Sequence, residues 1–348
     1  MSTQFEEIKF HSSLNSIDRN KWDAYLEKHP HYSVFQSFEM YAFWKEQENH
    51  EPFLYFFEYK NGKCLAMCSG VVVSNGNILK KAFSRRAIIY GGPLIDDSAN
   101  SETFNYVLNT IEHELRSQAI YVEFRNFFDL SSYKTIFKKN NWQYIPYQNY
   151  LIDLDSEEKV FMGFDNEKRR QIRKALRENV NYTFNKEDQL VKDVYKVLKY
   201  IYIERAKKPF PDFAFFKNLL KMEQAGMVAV IFEQKVIGGG FFLIDKNSIY
   251  DWYRGGYDSD YAHKYPSSVA DWAIMKYAIE RNIKRFDFMG AGIKGVEYGV
   301  RTYKSRFGGE LVEYGRFIKI NKPIMYYIGN KALIISRRVA NLKKLRIF

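Results

Sequence analysis

Residues 251–309, DWYRGGYDSDYAHKYPSSVADWAIMKYAIERNIKRFDFMGAGIKGVEYGVRTYKSRFGG, constrain the fold most, because their apolar pattern changes period within a single unit. An aromatic strand runs up to Gly255 and Gly256, whose tolerance of positive φ suits a sharp exit from a sheet. Pro266 and Ser267 then precede a helix, and Ser268 with Asp271 has the S-x-x-D spacing of a capping box. Ala270, Ala273, Ile274, Tyr277 and Ala278 recur at helical spacing, which predicts one apolar face against the sheet, and Asn282 closes the helix. The segment RFDFMG reads as a returning strand, and VEYGVRTYKSRFGG as a short helix stopped by two glycines. The result is a β-α-β-α unit with its polar groups gathered where strands end.

The rest of the chain supplies a second copy of that order. In the first half, helical patterns lie near Trp22–Leu26 and over Val34–Glu46, and a hairpin turns at Lys60, Asn61 and Gly62. The strand AIIYGGPL is followed by a helix with Phe104, Val107, Leu108, Ile111 and Leu115 on one face, and then by the strand AIYVEFRNF. The helix YKTIFKKN and the strand YQNYLIDL finish this half near Leu154. In the second half a basic helix over Asn166–Asn179 precedes one with Leu190, Val194, Val197, Leu198 and Ile201 on a face, then a hairpin, then the unit above. The order predicts a diverged tandem duplication, with one domain over 1–154, a second over 155–317, and 318–348 free to pack back on the first.

Charge narrows the partners. The balance of 53 basic to 41 acidic side chains gives +12, which points to an anionic partner such as tRNA, a phosphorylated substrate or an acidic membrane surface. Arg337, Arg338, Lys343, Lys344 and Arg346 among Leu333, Ile334, Ile335, Val339 and Leu342 make a basic amphipathic tail, suited either to docking on the first domain or to anionic head groups. The two cysteines, Cys64 and Cys68, are not in C-x-x-C spacing, so reduced thiols, no metal and a cytoplasmic address, with membrane-peripheral contact open, are expected. No apolar run approaches the ~20 residues of a transmembrane helix.

Gly290, Gly292 and Gly295 satisfy G-x-G-x-x-G after a strand, but only about two helical turns follow before Gly308 and Gly309, too little for a dinucleotide-binding unit. No Walker A loop and no G-x-S-x-G elbow occurs, so nucleotide hydrolysis and serine-hydrolase chemistry have no support, and no cofactor is expected.

The order hairpin, strand, helix, strand, helix, strand, with YKSRFGG between the last helix and strand, resembles the GNAT acyltransferase unit. Duplicated, and with VFQSFEMYAFWK, NEKRRQIRKAL, RFDFMGAG and YGVRTYKSRFGGELVEYGRF, the chain resembles the Fem family (FemABX) of aminoacyl-tRNA-dependent peptidyltransferases from about Trp22 to Phe317. The resemblance implies an α/β fold of two tandem GNAT-like (acyl-CoA N-acyltransferase-like) domains with mixed central sheets. It also implies transfer of an amino acid from aminoacyl-tRNA to an amine of a peptidoglycan-precursor stem peptide, nucleotide- or lipid-linked, with peripheral contact with the inner membrane face left open. The long helical arm of some family members is missing. DSDYAHKYPSSVADW has no glycine where coenzyme-A-using relatives cradle pyrophosphate, and Pro266 removes an N–H donor there, which disfavours coenzyme A.

Lys304 occupies the family's lysine position and is the first candidate for stabilising charge in acyl transfer. Asp287 and Asp251 are candidate carboxylates, as proton acceptors or as anchors for Lys304 or Arg254. Lys45 follows a family pattern that here is one residue longer. Arg205, Lys207 and Lys208 lie where the family carries a substrate-contacting arginine, and Arg254 and Arg125 complete the substrate-binding candidates. Arg170, Arg173, Lys174 and Arg177 form a stripe opposed by Ile172 and Leu176, for tRNA or membrane contact or as a solvated face. The alternatives are a coenzyme-A-dependent N-acyltransferase acting on a sugar or envelope component, and a non-catalytic RNA-binding protein.

Overall fold

The computed structural model describes residues 8–74, 81, 83–329 and 331. The chain divides into two compact units, 1–146 with 314–348, and 147–313. In chain order the first unit begins with β1 (Ile8–His11), α1 (Arg19–Lys28), α2 (Phe38–Lys45), β2 (His50–Tyr59), β3 (Cys64–Val73), β4 (Arg86–Tyr90), β5 (Leu94–Ile95), α3 (Ser101–Arg116), β6 (Tyr121–Arg125), α4 (Lys134–Lys139) and β7 (Gln143–Ile145). Local chemistry sets these starts: Asp18 caps α1, Ser37 caps α2, and Asn100 accepts from the Thr103 N–H at the head of α3. Gly62, at φ 80°, makes the β2–β3 turn. Phe104, Val107, Leu108, Ile111 and Leu115 of α3 are all buried, in one core with Phe57, Met67, Phe124 and Phe137. Each such side chain stabilises the fold by about 1.5–3 kcal/mol. Cys64 and Cys68 are both free thiols.

The second unit contains β8 (Tyr147–Asp153), α5 (Glu157–Gly163), α6 (Asn166–Arg177), β9 (Asn181–Thr183) and α7 (Asp188–Lys199), which runs into a π-helical turn over Tyr200–Arg205. It continues with α8 (Phe213–Leu219), β10 (Ala225–Phe232), β11 (Lys235–Ile244), β12 (Ser248–Gly256), α9 (Pro266–Ile279), β13 (Arg285–Asp287), β14 (Gly292–Ile293), α10 (Gly299–Ser305) and β15 (Glu310–Val312). The chain then returns to the first unit as β16 (Arg316–Ile320).

The two sheets repeat one plan. β2, β3 and β4 are successively antiparallel and β4 pairs β6 in parallel; β10, β11, β12 and β13 do the same. The next strand in each sheet is antiparallel, and here the copies exchange chain: β16 pairs β6 and β7, whereas β8 pairs β13. The expected boundary at Leu154 is therefore displaced. Every ladder of β8 goes to β13, β14 or β15, so the second unit begins at Tyr147, and β16 counts with the first. Sequence order alone assigns a strand to the copy that precedes it, and long-range pairing overrides that assignment.

Around α9 the local expectations need three changes. The helix starts at Pro266, with Tyr265 at φ 49° before it, so Ser268 and Asp271 lie inside the helix and cap nothing. The cap is Asp258, whose carboxylate accepts from the Ser267 N–H (3.2 Å) and hydroxyl (2.5 Å). Eleven of the fourteen residues of α9 are buried, polar ones included, so it is enclosed rather than laid on the sheet by one face. Gly255 and Gly256 are extended rather than left-handed; a Cβ on Gly256 would sit 2.8 Å from Pro266 Cγ, so glycine is needed there for close approach. On α6 the buried row is Lys168, Ile172 and Ala175, and Leu176 faces outward. Among the described residues no helix is long and apolar enough to cross a membrane. The basic tail residues Arg337, Arg338, Lys343, Lys344 and Arg346 lie outside the described residues.

Candidate functional site

A buried set of charges occupies the second unit where β12, α6, α9 and α10 converge. Asp251 and Arg254 are three apart on β12, which would ordinarily put them on opposite faces. A bulge intervenes: Tyr253 opposes Phe241 and Asp251 opposes Phe242, so Trp252 is the extra residue and both charged side chains turn to one side. Arg254 Nε lies 3.2 Å from Asp251 Oδ2 and 2.7 Å from Asp271 Oδ1. Tyr303 on α10 donates its hydroxyl to Asp271 Oδ2 at 2.7 Å. The Tyr303 ring meets the Arg254 guanidinium at 4.8 Å and the Lys168 ammonium at 4.1 Å, and Lys168 donates to Ser268 Oγ at 2.9 Å. The two residues read as a helix cap thus carry the anchors of this cluster. Lys168 was not singled out from sequence, since in NEKRRQIRKAL it differs from its solvated neighbours only in the row it occupies.

Lys304 sits beside this cluster. Its ammonium donates to the carbonyls of Phe288 and Gly290, both at 2.7 Å, in the turn that follows β13. Asp287 does not touch it. The Asp287 carboxylate accepts from Asn149 Nδ2 (2.7 Å) and from the Met289 N–H (2.6 Å). Asn149, another residue sequence reading missed, also accepts from the Gly290 N–H at 2.7 Å, so β8 braces the turn that holds the lysine. The glycines of the G-x-G-x-x-G match all have positive φ and shape this turn.

Burial dominates the electrostatics. It lowers the Lys304 ammonium to about 8, with Arg254 adding repulsion, and lowers Lys168 to about 8 as well. Burial raises Asp271 to about 7 against the pull of Arg254, and raises Asp287 against its two hydrogen-bond donors. Arg254 is opposed by burial, yet Asp271 and Asp251 hold it firmly charged. Asp251 Oδ1 and Asp271 Oδ1 accept no hydrogen bond, although the latter is ion-paired to Arg254.

The other sequence candidates do not join this cluster. Arg205, exposed at the end of the π-helical turn, donates to Ser259 Oγ at 3.0 Å; Lys207 is 3.6 Å from Glu204; Lys208 donates to Tyr298 OH at 3.2 Å. Lys45 is exposed on the last turn of α2, in the first unit. Arg125, expected to face substrate, is instead held by Glu123 (2.9 Å) and Tyr90 OH (2.9 Å) within the first unit. Burial opposes the charge on Glu123, but Arg125 and Arg316 bring it down to about 2, so this arginine is committed to an internal pair. On α6, Arg170 and Arg177 are exposed, Arg173 lies 5.0 Å over Phe161 and Lys174 is 3.9 Å from Glu178. Among the described residues no cluster of metal-ligating side chains forms.

Two copies of this sheet plan define a tandem GNAT-like protein. An acetyltransferase (GNAT) domain family model matches residues 164–305, which contain Lys168, Asp251, Arg254, Asp271 and Lys304. The aminoacyltransferase FemA of Staphylococcus epidermidis is 38% identical over 100 residues, 26% of this chain and 23% of the relative. This chain thus spans about a quarter of the length of the curated relatives it matches. The crystal structure of FemX superimposes with TM-score 0.70 at 14% identity, covering 92% of this chain and all of that one. A tandem GNAT protein from the clavulanic acid biosynthesis pathway gives 0.58 at 10% identity, covering 90% and 99%. The two structural likenesses establish the tandem GNAT-like fold, and the FemA match is a sequence likeness over about a quarter of the chain.

Proposed function

We propose that the protein is an acyltransferase that moves an amino acid from aminoacyl-tRNA to an amine of a peptidoglycan-precursor stem peptide. The observation that carries this reading is Lys304, a buried ammonium on a pair of carbonyls at the position where the Fem resemblance places a lysine. Such a charge, fixed in a low-dielectric surround, stabilises the oxyanion formed when an amine attacks an ester carbonyl. The head of α9 supports a donor other than coenzyme A. Pyrophosphate of coenzyme A needs open backbone N–H groups at a helix start, whereas here Pro266 has none and the Ser267 N–H is taken by the Asp258 carboxylate. A carboxylate at that spot repels a phosphate.

In this reading Asp251 and Asp271 anchor Arg254, and Asp287 braces the turn beneath Lys304. Arg205, Lys207 and Lys45 are the cations offered to the precursor's phosphates, and Arg170, Arg173, Lys174 and Arg177 those offered to the tRNA backbone or the inner membrane face. The net charge of +12 suits both partners. The test is transfer of labelled amino acid from charged tRNA pools to nucleotide-linked and lipid-linked precursors, with acetyl-CoA as competing donor. Label on the precursor supports the reading and identifies amino acid and acceptor together. Product from acetyl-CoA alone replaces it with a coenzyme-A-dependent N-acyltransferase.

A further inference from the structure

The turn beneath Lys304 is built at a cost. Met289 has φ 58° and Gly290 φ 125°; a non-glycine residue in the left-handed region is strained, and such strain concentrates at functional sites. What it achieves is the aim of two peptide groups. In the Phe288–Met289 peptide the N–H donates to Asp287 Oδ1 and the C=O accepts from Lys304; in the Gly290–Ala291 peptide the N–H donates to the Gln148 carbonyl at 2.6 Å and the C=O accepts from Lys304. Each peptide is polarised from behind, which strengthens its carbonyl as an acceptor. Lys304 has no other hydrogen-bond partner among the described residues, so two of its three N–H bonds are committed and the third makes no hydrogen bond, with the Phe288 ring 5.2 Å from the ammonium.

Two neutral carbonyls accept hydrogen bonds from a neutral amine too, more weakly than from an ammonium. A neutral –NH2 keeps both of its hydrogens on the Phe288 and Gly290 oxygens and leaves its lone pair in the third direction. A carboxylate partner would instead fix the proton in place. We propose that Lys304 acts as the proton acceptor for the incoming amine and then, as the ammonium so formed, stabilises the oxyanion. This rests on the acyl-transfer reading above and deepens it. The acceptor R–NH3+ gives one proton to the Lys304 lone pair. The freed R–NH2 forms the C–N bond to the ester carbonyl carbon, and the carbonyl π electrons move to oxygen beside the new ammonium. On collapse the C–O ester bond breaks, the departing ribose oxygen takes the second proton of the attacking nitrogen, and Lys304 returns its own to solvent.

The charged groups acting on Lys304 are Arg254 and Asp251 from β12, Asp271 from α9 and Asp287 from β13, with Lys168 of α6 against the neighbouring Tyr303 ring. The experiment is the pH profile of kcat/KM, with whichever donor the wild-type protein uses, so that a wrong donor and a wrong role for Lys304 give different results. In a chain whose Cys64 and Cys68 are replaced by alanine, Lys304→Cys alkylated with bromoethylamine carries a lysine isostere with a less basic amine. The expected result is a rising limb near pH 8 that moves to lower pH with the isostere, and again with Asp287→Asn, which removes a nearby negative charge. Lys304→Arg, which keeps charge and gives up no proton, should lose at least about 100-fold. A limb that stays in place with the isostere, or an Arg variant within a few-fold of wild type, overturns the proposal. Far-ultraviolet dichroism of each variant separates loss of fold from loss of proton transfer.

Discussion

Lys304 and Lys168 are both buried lysines lowered to about 8, but their partners differ, and so do their consequences. Lys304 rests on backbone carbonyls and its removal should be felt in the reaction: Lys304→Ala is expected to lower transfer by about 100-fold or more, the scale of a lost oxyanion donor. Lys168 rests on a hydroxyl and two aromatic faces, and its cost falls on stability. Between its folded value near 8 and its ordinary 10.5 the unfolded chain holds more protons, so stability rises with pH across that window and the penalty is fully present below it. Melting temperatures of wild type and Lys168→Met, compared from pH 7 to 10.5, should therefore diverge in favour of the wild type as pH climbs. Tyr303→Phe leaves an Asp271 oxygen without its donor and is expected to cost about 1–3 kcal/mol in urea unfolding. Lys304 stands out as a candidate in the sequence because its surroundings carry a family resemblance. The roles of Lys168, Ser268 and Asn149 were not legible, because each residue acquires its role from an element distant in sequence.

At the scale of elements, α9 was legible as a helix but its head was misread. The spacing of Ser268 and Asp271 satisfies a capping rule that is purely local, while the actual cap, Asp258, comes from the loop before it. What fixes the helix is the β12 backbone, close enough that Gly256 admits no side chain. Gly256→Ala should cost about 1–3 kcal/mol as α9 is forced outward, whereas Gly299→Ala, with nothing within 4 Å of the new Cβ, should leave unfolding nearly unchanged. Equal losses at the two positions would show that α9 does not need that approach. The β12 bulge at Trp252 belongs to the same class of hidden feature: alternation in DWYRGG cannot reveal that one residue is extra, since only the register against β11 shows it.

For the whole molecule, duplication was legible from the order of strands and helices, and so was the option that the segment after 317 returns to the first unit; the transfer of β8 to the second unit was not. A fragment ending at residue 146 keeps β6 and β7 but loses the strand that joins them, so it should melt without cooperativity, whereas a chain joining 1–146 to 314–348 should regain a transition. If tRNA is the donor, the affinity of the full chain for it should fall steeply between 50 and 200 mM salt, as expected where several phosphates are neutralised.

The crossing also sets a timetable. On the ribosome a chain emerges at roughly 5–20 residues per second and domains tend to fold in the order they appear. Here Arg125 must find Arg316, and no amount of waiting at residue 146 will complete its sheet. The second unit, whose strands are contiguous from Tyr147 to Val312, can close first, while the earlier-made half stands with a gap the width of one strand until β16 leaves the exit tunnel. A nascent chain stalled where residue 313 has just cleared the tunnel should therefore protect its later half from protease and not its earlier one, the reverse of the order of synthesis.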